Sequence, residues 1–238
     1  MKKFVIITGL LFICYIVPAW GWSYGEFISC NALNPMPTIV LKTSYGQLVY
    51  DLNLSGAEIT AKNNNYETGL INDGLATQSI SSSISLKKYT IKQLDKNNTC
   101  VLPAEVEVAI GYNNPEIYVS KDIKMPSCRF SVVIRHEQVH QRINKLVLDY
   151  FLPLFFEEIK AAVADVKAIK ISHSEEYNEG AQALLAFYRE RLNPVIAMYQ
   201  EIVKTEHQKL DNLTNYQMEW ALCKNFEQGQ LKASSPQD

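Results

Sequence analysis

The chain has few residues that break regular structure. Ten glycines and nine prolines in 238 residues are too few for a collagen-like or low-complexity chain. Neither sign of charge prevails, with 23 Lys and Arg against 25 Asp and Glu, so nucleic acid is not an expected partner. Past residue 21 no apolar run reaches the roughly 20 residues that cross a bilayer. Histidine is scarce, at four residues, and two of the four stand one helical turn apart. What remains is a globular composition, 47% hydrophobic, long enough to bury a sizeable core without metal or disulfides.

The first residues read as a secretory signal peptide over 1–21. Lys2 and Lys3 form a positive start, Phe4 to Ile16 an apolar run, and Ala19-Trp20-Gly21 a small-x-small cleavage site. The mature chain, 22–238, is then expected in an exported state, periplasmic or secreted, with no stable membrane span. Removing 1–21 also removes Cys14 and leaves Cys30, Cys100, Cys128 and Cys223. An even number after export fits two disulfides. Of three connectivities, Cys100–Cys128 with Cys30–Cys223 is favoured, the first closing a local loop and the second tying the chain ends. No two cysteines have the C-x2–4-C spacing of a zinc-thiolate cluster.

The two halves differ in pattern. From about Thr38 to Ser120 apolar residues alternate, as in Glu105-Val106-Glu107-Val108-Ala109-Ile110, which predicts strands. Beyond Cys128 the period turns helical. Val133, His136, His140, Ile143 and Val147 share one stripe of a helix expected over about 130–150. Pro153 is expected to interrupt it, with further helices over about 154–169, 174–191 and from Pro194 to about Leu210. The expectation is one α+β domain, strand-rich over about 38–120 and helical over about 130–223.

Residues 136–140 read His-Glu-Gln-Val-His. A spacing of four puts both imidazoles on one helix face, where two ring nitrogens reach a single Zn2+. Glu137, beside the first histidine, is placed to act as general base on a water that the metal acidifies. The rest of the stripe is aliphatic, so an unpartnered pair of rings there would be costly.

With this motif the chain resembles the zincin metallopeptidases, and a set of uncharacterised exported bacterial proteins predicted to be zinc proteases. The resemblance rests on Tyr118-Val119-Ser120, on Ser127-Cys128-Arg129-Phe130, on Ile134 to His140, and on His207 to Asp211 with Tyr216 and Cys223. It implies that the strand holding Tyr118-Val119 forms the cleft edge along which an extended substrate pairs. The metzincin pattern is excluded, because Ile143 and Leu146 stand where it requires Gly and His, and no aspzincin G-T-x-D is present.

The third ligand stays open at this level. His207 is preferred, Asp211 one turn later is the alternative, and Glu157 or Glu158 would suit a thermolysin-like arrangement on a following helix. His173 falls in an expected surface loop. Tyr112, Tyr118 and Tyr216 are candidate oxyanion donors. Asn97-Asn98-Thr99 and Asn212-Leu213-Thr214 match glycosylation acceptors.

The expected function is exported, zinc-dependent hydrolysis of a peptide or protein substrate, with His136, His140 and His207 as ligands and Glu137 as base. The alternative from another class is a catalytically silent, zincin-like envelope protein that binds or supports. Hydrolysis of a non-peptide amide, such as a cell-wall cross-link, is a third. A structural zinc needs no general base, so Glu137 favours chemistry.

Overall fold

The computed structural model describes residues 30–63, 72–172 and 176–233. The expected signal peptide and His173 lie outside them. The first half holds strands β1 (Thr38–Ser44), β2 (Val49–Asp51), β3 (Gly74–Thr77), β4 (Ile80–Gln93), β5 (Thr99–Tyr112) and β6 (Glu116–Val119), with a short helix α1 (Gly56–Lys62) after β2. The second half holds α2 (Cys128–Asp165), β7 (Ile169–Ile171), α3 (Tyr177–Leu210) and α4 (Leu213–Ala233). This is the α+β division that the change of period predicts.

Alternation along β5 places Val106, Val108, Ile110 and Tyr112 on the core face. Strand β5 is the centre of the larger sheet. It pairs antiparallel with β4 along its length, parallel with β1 at Glu105–Gly111, and antiparallel with β7 at Thr99–Val101. Gly111 permits the β1 contact, because a Cβ there would meet the Ser44 carbonyl oxygen at 2.0 Å. Phe151, Phe155 and Ile159 of α2 and Leu184, Tyr188 and Leu192 of α3 complete this core. Burying each such side chain contributes about 1.5–3 kcal/mol.

A smaller sheet carries the order β2-β6-β3. It packs Ile117 and Val119 against Phe130, Val133 and Ile134 of the first turns of α2. Here an expectation is corrected. The Tyr118-Val119 strand is β6, flanked on both sides, and the edge strand beside α2 is β3.

The prolines do not divide the helices as expected. Helix α2 runs unbroken for 38 residues through Pro153, and α3 for 34 through Pro194. Both prolines are exposed, as are Asp149 and Glu190 four residues before them. The carbonyls that lose a donor therefore lie on wetted faces, where the cost of proline is least. Helix α1 was not foreseen, although Ser55-Gly56-Ala57-Glu58 spells a capping box and forms one. Among the described residues no helix is long and apolar enough to cross a membrane.

Both disulfides exist, but in the third connectivity: Cys30–Cys100 and Cys128–Cys223. The favoured pairing Cys100–Cys128 with Cys30–Cys223 fails on distance. Cys100 packs with Ala168, just past the far end of α2. Cys128 opens that helix, and its 38 residues span about 57 Å. Nearness in sequence misled, because a single rigid helix separates the two ends.

Candidate metal centre

The buried face of α2 is polar at one end and apolar at the other. It runs His136, Glu137, His140 and Asn144, then Leu148, Phe151, Phe155 and Ile159. The polar half floors a cleft of about 930 Å³. One wall is β3 with residues 78–80, and the other is the face of α3 carrying Tyr199, Val203, His207 and the residue that caps it, Asp211.

A dense corner aims Asp211 at the histidines. The Asp211 backbone N–H donates to the His207 carbonyl and closes α3. Asn212 then accepts from the Asn215 N–H at 3.0 Å, as an N-cap does for α4. The Asn215 amide donates to the Lys209 and Leu210 carbonyls, both at 3.0 Å, satisfying two orphan acceptors of α3. The Asn212 amide also donates to the Lys209 carbonyl.

His136 Nε2, His140 Nε2 and Asp211 Oδ1 form a triangle with sides of 3.0, 3.0 and 3.2 Å. Zinc bonds of about 2.0–2.1 Å in a tetrahedral shell place neighbouring ligand atoms roughly 3.3 Å apart. The three atoms thus have the chemistry and spacing to hold a metal ion. Among the described residues no fourth His, Cys, Asp or Glu joins them.

The surroundings orient these groups. His136 Nδ1 lies 3.1 Å from Glu219 Oε2 on α4, the arrangement in which an outer carboxylate fixes a ligating ring. Tyr216 donates to Asp211 Oδ1 at 3.0 Å and stacks on the His136 ring. Among the described residues His140 Nδ1 is buried without a hydrogen-bond partner. Burial disfavours charge on the Asp211 carboxyl, but hydrogen bonds from His136, His140 and Tyr216 outweigh it and hold the group well below the usual carboxylate range. Burial pushes His136 down, while Asp211, Glu137 and Glu219 lift it further, to about 9.

Glu137 faces β3 and stands outside the triangle. It is 6% exposed and accepts a backbone hydrogen bond from Ala76. Burial raises its carboxyl to about 7 against the pull of His140 and His136. Gly74 makes room for it, since a Cβ there would lie 2.6 Å from Glu137 Oε1 and 2.7 Å from Val133 Cγ1. Gly74→Val should therefore displace the carboxylate while sparing the triangle. Metal content by mass spectrometry should stay near that of the wild type, and any Glu137-dependent activity should fall about tenfold or more.

The other candidates lie elsewhere. His207 Nε2 sits 2.7 Å from Asn144 Oδ1, so the ring is turned from the triangle even as it packs on His140. Because an amide oxygen only accepts, that nitrogen carries the proton. Burial and the neighbouring His140 hold His207 down at about 4, keeping it neutral. Glu157 and Glu158 are on the same helix as His140, at least about 25 Å further along it, where they meet Lys160 and Arg191. Tyr112 bonds the Asn144 carbonyl and Tyr199, and Tyr118 bonds Glu116. Of the three tyrosines only Tyr216 touches the triangle.

Two contributors escaped the sequence reading. Asn144 continues the 136, 140 spacing by one more turn, but the aliphatic stripe through Ile143 and Val147 concealed it. Glu219 carries no local signal, since only the fold of α4 brings it to His136.

The Cys128–Cys223 disulfide pins α4, which carries Tyr216 and Glu219, to the start of α2. In the chain-entropy picture a loop of this size contributes about 4–5 kcal/mol. Replacing both cysteines by serine should lower the melting temperature and weaken metal affinity about tenfold, as loss of outer partners does. Calorimetry and metal titration check the two effects. Comparison of the chain with protein-family models, curated proteins and solved structures finds no match.

Proposed function

We propose that the protein is an exported, zinc-dependent hydrolase acting on peptide bonds, with His136, His140 and Asp211 as the protein ligands. Zinc at such a site supplies Lewis-acid polarisation and a water acidic enough to ionise near neutral pH. The chain's own groups have separate tasks. His136 and His140 give imidazole nitrogens from a rigid helix, His136 releasing its proton when the metal binds, and Asp211 gives the one anionic ligand. Glu219 holds the His136 ring in orientation. Glu137 takes a proton from the attacking water and returns it to the leaving amine. Tyr216 gives its hydroxyl proton to Asp211 and so holds that ligand in orientation.

The observation that carries this reading is Glu137: a buried carboxylate, lining the cleft beside both histidines yet not part of the metal-binding group. A structural zinc would close its shell with a fourth protein ligand and would need no base there. The test is cleavage of an unstructured protein by the zinc-loaded chain. Activity should be lost on chelation and restored by stoichiometric zinc. Absence of cleavage from the zinc-loaded protein would favour the silent binding module.

A further inference from the structure

Two cations in the cleft have no carboxylate partner among the described residues. Among the residues lining it, the carboxylates are Glu137 and Asp211. Glu137 is held by Ala76 and Asp211 by two histidines and Tyr216. Lys62 and Lys204 line the same cleft, and neither ammonium is paired with a carboxylate among the described residues. Both side chains are exposed. In the cleft the formal charges of Lys62 and Lys204 balance those of Glu137 and Asp211, but both carboxylates have partners and the two ammoniums have no carboxylate partner among the described residues.

The two lysines stand on different walls of the cleft. Lys62, at the end of α1, sits 5.0 Å over the Tyr118 ring, and Tyr118 pairs with Leu75 near the start of β3. Lys204 stands on the opposite wall, one turn before His207, in the stretch of α3 that meets Tyr112 and Asn144. The strand part of the wall, Gly74–Thr77, is about 10 Å long at 3.3 Å per residue, the reach of a few extended residues. The remaining lining is mixed, with Asn72, Gln78, Ser79 and Gln200 beside Leu75, Ile80 and Val203.

We infer that the cleft selects acidic peptide segments, with Asp or Glu side chains on both sides of the bond presented to the metal, read by Lys62 and Lys204. This rests on the proposed hydrolase reading for the position of that bond, but the charge selection itself needs only the cleft. Two exposed cations on opposite walls of a groove raise the local concentration of an anionic chain and favour one register.

The experiment uses zinc-loaded full-length chain and three fluorescent ten-residue peptides. They share one sequence, with Glu, Gln or Lys at the positions two residues either side of the centre. Binding is read by anisotropy on the Glu137→Gln protein, and kcat/KM on the wild type. The Glu peptide should bind about tenfold tighter than the Gln peptide at low salt and the Lys peptide weakest. The Glu:Gln ratio should shrink with added salt and fall to about one in Lys62→Gln/Lys204→Gln. Equal affinities for the three peptides, or an undiminished ratio in the double variant, would overturn the inference. Cleavage without charge preference would leave the hydrolase reading standing and sink this one. Charge-selective binding without cleavage would do the reverse.

Discussion

Asp211→Ala is expected to strip most of the metal from the protein, whereas His207→Ala should leave it bound. Asp211 Oδ1 is equidistant from the two imidazole nitrogens at 3.0 Å and is the anionic member of the group. Without it, two imidazole nitrogens remain to hold a divalent cation, too few for a stable tetrahedral shell. Affinity should fall by about 10³-fold or more, well beyond the 10–100-fold typical of losing an outer partner. His207 sits one turn earlier and spends its Nε2 proton on Asn144. Its removal should cost stability and His140 packing, and about tenfold in affinity at most. Competitive titration of each variant with a chromogenic zinc chelator gives both numbers. Equal loss in the two variants would return His207 to the ligand set.

Glu137→Gln is expected to abolish hydrolysis while keeping the metal. The amide is nearly isosteric and can still accept from Ala76, but it cannot take a proton. Removing a positioned general base costs about 10²–10⁴-fold. The triangle does not include Glu137, so zinc content should match the wild type. A variant that loses zinc together with activity would show that Glu137 supports the site rather than the chemistry. One with full activity would remove it from the mechanism.

Much of the centre was legible because its local part obeys one rule. Positions three and four apart on a helix share a face, which brings His136 and Glu137 each to the side of His140. The strand half was similarly readable from alternation, as at Val106, Val108 and Ile110. What failed was long-range. Asp211 and His207 are one turn apart on the same stretch, and only the corner built by Asn212 and Asn215 decides which faces the histidines. The prolines were read as breaks, but Pro153 and Pro194 lie on wetted faces where a lost hydrogen bond is met by water. The disulfide pairing followed sequence distance, and the length of α2 decided it instead.

Separate parts of the fold meet at one point. Helix α2 brings His136, Glu137 and His140, the α3–α4 corner brings Asp211, and α4 brings Tyr216 and Glu219 against them. Gly74, through a missing side chain, leaves room for Glu137.

Zinc titration into chelator-stripped protein, followed by calorimetry on the wild type and His136→Ala, His140→Ala and Asp211→Ala variants, tests the centre most directly. The account predicts one zinc per wild-type chain with sub-micromolar affinity, and each substitution should weaken it by about 10³-fold or more. Stoichiometric binding of unchanged affinity in any one of the three variants would contradict it.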